Sequence, residues 1–194
     1  MIRTGILFLA GFSVALSAGW WSMPRILYRE EPQPVQFSHA AHVGEKGGMS
    51  CEDCHSFRED GTFAGVPKLE SCAGCHSAPM GETQAEKDFI ARFVEPGVEP
   101  RWKIYSRQPD NAWFPHSAHV QRGKLACEKC HGGIGKSDKL PVYRVHRFTG
   151  YPEDVMGKRT GPLGLKRAGG MRMDDCVACH RQNRLEHSCL DCHK

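Results

Sequence analysis

Five copies of one short motif, Cys-x-x-Cys-His, constrain this chain more than any other feature of it. They are Cys51/Cys54/His55, Cys72/Cys75/His76, Cys127/Cys130/His131, Cys176/Cys179/His180 and Cys189/Cys192/His193. All ten cysteines fall inside them. At this composition, chance supplies about 0.03 copies of such a spacing. Structural zinc needs no His directly after every second Cys, and disulfides need no His at all. A thioredoxin-like redox pair occurs once, in a βαβ setting that is absent here.

What the spacing does suit is covalent haem attachment. Two thiols three residues apart form thioethers with the two vinyl groups of one porphyrin, and the next residue supplies the proximal imidazole. The reading is five haems c. The ten cysteines are the attachment residues, and His55, His76, His131, His180 and His193 are the proximal iron ligands.

Thr4 to Met23 is an uncharged, mostly apolar run of 20 residues, long enough to cross a bilayer as a helix. Trp20 and Trp21 stand near its end, where interfacial aromatics belong. A signal peptide cleaved near Ser17-Ala18-Gly19 is the competing reading, but the apolar run exceeds the usual signal core. The expectation is a retained anchor over residues 1–24. Covalent haem attachment takes place outside the cytoplasmic membrane, so the rest of the chain is expected on the periplasmic side. A single span cannot form a multi-helix quinone pocket by itself.

The remainder contains a duplication. Phe37-Ser-His39-Ala-Ala-His42 precedes Cys51, and Phe114-Pro-His116-Ser-Ala-His119 precedes Cys127, at an offset of 77 residues. Each His-x-x-His places two imidazoles on one side of a helical turn. A low-spin haem needs a second axial ligand, and imidazole serves iron well. His39, His42, His116 and His119 are therefore the leading distal candidates, followed by His187 and then His146. Six spare His serve five irons, and Met49, Met80, Met156, Met171 and Met173 are alternatives of higher potential.

About 34 residues per haem remain after the anchor, too few for a conventional apolar core. The expected fold is that of a multihaem cytochrome c: short α-helices and loops packed around covalently bound haems, little β structure, and one N-terminal transmembrane helix. A first module with two haems is expected over 25–96 and a second with three over 97–194, the boundary lying near 96–112. Residues 81–95 read as an amphipathic helix with Phe89, Ile90, Phe93 and Val94 on one side, ended by Pro96, Gly97 and Pro100. Residues 132–175 are haem-free and carry nine Lys and Arg against five acids. No secondary structure is assigned to them, and a loop of this length is expected to wrap a partner subunit.

The formal charge of +4 becomes about −1 with five ferric haems and their ionised propionates, and about −6 when all are reduced. No nucleic-acid recognition motif accompanies the basic residues.

The Phe-x-His-x-x-His segments ahead of Cys-x-x-Cys-His resemble those of the class III multihaem cytochromes c, the tetrahaem c3 and trihaem c7 group. The resemblance implies that His39 ligates the haem of Cys51/Cys54, that His116 ligates that of Cys127/Cys130, and that His42 and His119 serve other haems. The anchor ending in Gly19-Trp20-Trp21, the stretch PMGETQAEKDF, the segment RQPDNAWFPHSAH and the closing DDCVACH and SCLDCHK are similar to membrane-anchored multihaem subunits of the menaquinone reductase (Qrc) and alternative complex III group. This likeness covers nearly the whole chain. It implies an iron–sulfur subunit, a molybdopterin-oxidoreductase-like subunit and a polytopic quinone-binding membrane subunit as partners. It also implies a periplasmic tetrahaem cytochrome c3 as electron donor. Members can carry six haems, so a sixth here would need a non-standard attachment.

The function expected is that of an electron-transfer subunit of a membrane-bound quinone oxidoreductase complex, with no catalytic side chain of its own. One alternative is a stand-alone membrane-anchored quinol dehydrogenase of the NapC/NrfH kind, which the duplicated His-x-x-His argues against. Another is a haem enzyme with an open coordination site, which six spare His make unnecessary.

Overall fold

The computed structural model describes residues 2–105, 108, 110–150, 171, 173–186 and 188–193. His187, Met156 and most of the second half of the 132–175 segment lie outside that set.

Helix α1 (Ile2–Leu27) is the longest element. Its 26 residues span about 39 Å at a rise of about 1.5 Å each. That exceeds the hydrocarbon core of a bilayer, which is about 30 Å thick. Ile6, Leu7, Phe8, Leu9, Phe12, Val14 and Leu16 are all exposed along it. This helix is long and apolar enough to cross a membrane.

Strand β1 (Tyr28–Glu31) leaves α1 directly and pairs antiparallel with β2 (Tyr143–His146), Tyr28 lying opposite His146 and Glu31 opposite Tyr143. The N–H of Arg147 extends the ladder to the carbonyl of Leu27 at 2.8 Å. Strand β2 falls in the basic segment to which the sequence reading assigned no secondary structure. Four residues give little periodicity, and what holds this strand is a partner more than a hundred residues away. Val145 is buried at the pairing. The Glu31 carboxylate reaches Lys103 at 2.6 Å, and this contact, ahead of the Arg29 contact, holds its pKa below the usual carboxylate range.

The other helices are short: α2 (His39–Val43), α3 (Cys51–Cys54), α4 (Leu69–Ala73), α5 (Gln84–Phe89), α6 (Glu128–His131), α7 (Met173–Gln182) and α8 (Cys189–Cys192). Single π-helical turns follow α5 at Ile90–Val94 and lie over Ser117–Arg122, and a 3-10 turn spans Gly132–Lys136. Together with the two-stranded sheet, this is the helix-and-loop architecture that the sequence leads one to expect.

The amphipathic segment behaves as core. Thr83 caps α5 by accepting the Glu86 N–H. The helix then widens into its π turn, and Phe89, Ile90 and Phe93 are buried together against Leu69 of α4. Gly97, at φ +66°, closes the end while the Gly97 and Val98 N–H groups reach back to Val94 and Phe93. A left-handed φ there favours glycine. Phe93→Ala is expected to destabilise the haem-loaded protein by about 3–5 kcal/mol, read as a lowered urea midpoint.

Candidate haem sites

In four of the five motifs the His N–H donates to the carbonyl of the first Cys: His55 to Cys51 (2.8 Å), His76 to Cys72 (2.9 Å), His131 to Cys127 (3.0 Å) and His193 to Cys189 (2.9 Å). One helical turn thus carries Cys at i, Cys at i+3 and His at i+4 on one face. The fifth set, Cys176 to His180, lies within α7. Two motifs are fixed further by an acid inside the turn. Asp53 accepts the Ser50 N–H at 2.7 Å, and Asp191 accepts the Ser188 N–H at 2.6 Å.

The two His-x-x-His copies have nearly the same geometry. Phe37 stands edge-on to His39 at 4.9 Å and lies flat on His42 at 4.4 Å. Phe114 stands edge-on to His116 at 4.9 Å and lies flat on His119 at 4.4 Å. His42 donates Nδ1–H to the Ser38 carbonyl (2.8 Å), and His119 donates its own to the Pro115 carbonyl (2.9 Å). An Nδ1–H engaged in this way leaves Nε2 with the lone pair that a metal needs.

Each spare His of the duplicated segments approaches one motif His. The rings of His116 and His131 are 6.4 Å apart with planes 1° from parallel. Those of His119 and His180 are 6.1 Å apart at 27°, and those of His42 and His76 are 6.0 Å apart at 58°. Metal–imidazole bonds of about 2 Å on both sides of an iron place two ring centroids roughly 6 Å apart. All three pairs meet that spacing. For His39, burial and then the nearby His55 lower the pKa, and its Nδ1 is buried without a hydrogen-bond partner. His116 is lowered likewise, by burial first and then by His131. His55 donates Nδ1–H to the Gly65 carbonyl at 2.8 Å, whereas His76 donates to the Glu86 carboxylate at 2.8 Å.

Neighbouring motifs crowd one another. Burial pushes the thiols of Cys54, Cys72, Cys127, Cys130 and Cys176 up, and adjacent thiols add to this: Cys75 on Cys54, Cys54 on Cys72, Cys51 on Cys127, Cys179 on Cys130, Cys192 on Cys176. Phe63 lies between two sites, 4.2 Å from His116 and 6.3 Å from His55. The Trp113 N–H donates to the Cys192 carbonyl at 2.7 Å, and Ala112 bridges to His193.

His146 is not brought to any motif His by a ring contact. Its Nδ1 accepts the N–H groups of Phe148 (3.3 Å) and Thr149 (3.2 Å), and its ring meets Tyr28. Met80 and Met173 are exposed, and His187 lies outside the described residues. Sequence reasoning missed Glu86 and Phe63. Glu86 had a signal, the Thr83-x-x-Glu86 spacing of a capping box, whose carboxylate goes instead to His76 and to the N–H groups of Met80 and Gly81.

Paired cysteines one turn apart, each followed by an imidazole, with a second imidazole at the spacing of an intervening iron, define a multihaem cytochrome c. Comparison with known families agrees. A family described as class III cytochrome C matches residues 22–95, and one described as cytochrome c7 and related cytochrome c matches residues 112–194. The chain is 38% identical, over a 202-residue alignment, to the menaquinone reductase, multiheme cytochrome c subunit, of Nitratidesulfovibrio vulgaris. That alignment covers 96% of this chain and 89% of its relative. The chain belongs to the family of that subunit.

Proposed function

We propose that this chain is the electron-transfer subunit of a membrane-bound quinone oxidoreductase complex. It relays electrons between a periplasmic cytochrome c of the c3 kind and the iron–sulfur and quinone-reactive subunits, toward menaquinone reduction. The observation that carries this reading is the row its attachment sites form. Helix α2 joins the first two sites through His39 and His42. Phe63 joins the first site to the third, and the turn bearing His116 and His119 joins the third to the fourth. Cys192 adjoins Cys176, which adds the fifth. The order is second, first, third, fourth, fifth.

Haem c, when attached, supplies reversible one-electron exchange at iron. The chain's own residues hold, space and tune it. The ring spacings support the ligand pairs His42 with His76, His116 with His131 and His119 with His180, and the electrostatic influence of His55 on the half-buried His39 supports pairing those two. His187 is the ligand proposed opposite His193, because the lone pair of His146 is committed to its own turn. Five haems follow from five motifs. Helix α1 is the anchor, and the haem modules 25–96 and 97–194 face the periplasm, where such attachment takes place. The separate family matches over 22–95 and 112–194 support that division.

The test is purification of the tagged full chain from its own membranes in mild detergent. Expected is its recovery with an iron–sulfur protein, a molybdopterin-oxidoreductase-like protein and a polytopic membrane protein. The preparation should reduce a menaquinone analogue from reduced tetrahaem cytochrome c3. Recovery of the chain alone, with quinone chemistry intact, would overturn the reading.

A further inference from the structure

We propose that Glu86 is a positioning residue for the second haem site, accepting the Nδ1–H of His76 and so holding the potential of the haem at Cys72/Cys75 below what a neutral acceptor would allow. The proposal rests on His76 being that haem's ligand. Four of the ring hydrogen bonds can be compared directly. His42, His55 and His119 donate Nδ1–H to backbone carbonyls, at 2.8, 2.8 and 2.9 Å. His76 donates to a carboxylate, at 2.8 Å.

The carboxylate is held in place rather than loosely opposed. Oε1 also accepts the Met80 N–H at 2.8 Å, and Oε2 accepts the Gly81 N–H at 2.9 Å. Thr83 fixes the Glu86 backbone at the first turn of α5. The imidazole is confined on its other sides, with Phe89 edge-on at 6.1 Å and His42 at 6.0 Å. A hydrogen bond with a charged acceptor is stronger than one with a carbonyl. It pushes electron density into the ring and makes the opposite nitrogen a better donor to a ferric centre. Stabilising the ferric state lowers the potential, the general way outer partners tune a haem.

The site also differs in ring geometry from the two others whose paired rings are in contact. The planes of His42 and His76 are 58° apart, against 1° for His116 and His131 and 27° for His119 and His180. Widely tilted axial rings leave the iron dπ orbitals nearly degenerate, so of these three sites this one gives the ferric signal of largest g anisotropy.

The experiment compares Glu86→Gln with Glu82→Gln in the haem-loaded full chain. Glu82 is fully exposed, 3.8 Å from Lys87, so its variant removes the same charge without touching His76. Haem content by mass and the potential at which the broad-anisotropy signal disappears are the readouts. Glu86→Gln is expected to raise that potential and leave haem content unchanged, while Glu82→Gln leaves both unchanged. Equal shifts in the two variants, or none in either, overturn the proposal. Nitrogen NMR of the reduced, unaltered protein is the second measurement, independent of any variant. The Nδ1–H of His76 should resonate apart from that of His55, and coincident shifts also overturn it. Failure of the underlying ligand assignment looks different: His76→Ala would then leave every low-spin signal in place.

Discussion

Prepared without haem attachment, the chain is expected to show no cooperative unfolding transition by circular dichroism, in heat or in urea. The polypeptide has too little of its own to fold around. Among the described residues the buried hydrophobics are Leu69, Phe89, Ile90, Phe93 and Val145, and no buried polar residue accompanies them. Four of these five form one small cluster on α4, α5 and the π turn that follows α5. The motif helices α3, α6 and α8 are each four residues long. A helix of a single turn does not outlast its own nucleation cost without packing. Covalently attached porphyrins would supply the bulk against which those turns pack, coupling attachment to folding. Loss of the central site should therefore cost more than loss of a peripheral one. Cys127→Ser with Cys130→Ser removes a site flanked by motifs one and four, and should abolish accumulation of the chain. Cys189→Ser with Cys192→Ser removes cysteines that are both exposed, and should lower accumulation only in part. A sharp transition in the haem-free chain, or equal accumulation of the two variants, would contradict this.

Legibility in this sequence follows the distance over which each feature is determined. The haem motifs are local: Cys, Cys and His fall within one turn, and that turn forms wherever a four-residue helix does. The duplicated Phe-x-His-x-x-His was also readable, because its aromatic-on-imidazole geometry is set inside six residues. The 81–95 segment was readable as a helix because its apolar residues follow the helical period, though the π turn at Ile90 was not. Beyond this range, the text becomes silent. That His42 meets His76, or that His119 meets His180, depends on how separate loops cross. Strand β2 forms because β1 is there to pair with it. Glu86 advertises a helix cap, and only the placement of His76 diverts its carboxylate. The class III likeness implied that His42 and His119 serve other haems without saying which.

His116→Ala is expected to convert one low-spin haem to a high-spin form and leave the others low-spin. Under the ligand set proposed above, it removes one of two rings held 6.4 Å apart with planes 1° from parallel. No described neighbour is placed to replace it. His119 is turned away, its ring centroid 6.1 Å from that of His180 and its Nδ1 tied to Pro115. Phe63, 4.2 Å from the His116 ring, has no lone pair to offer. Added imidazole should therefore enter the space and restore the low-spin spectrum, a rescue that general unfolding would not permit. Loss of a strong axial donor also raises that haem's potential. The site lies in the middle of the row, so the variant should slow electron passage between the two ends while each end still exchanges electrons with small mediators. His146→Ala is the matched control, since that ring caps its own turn, and every haem should stay low-spin. A low-spin spectrum unchanged in His116→Ala, or a high-spin signal in His146→Ala, would reverse the two assignments.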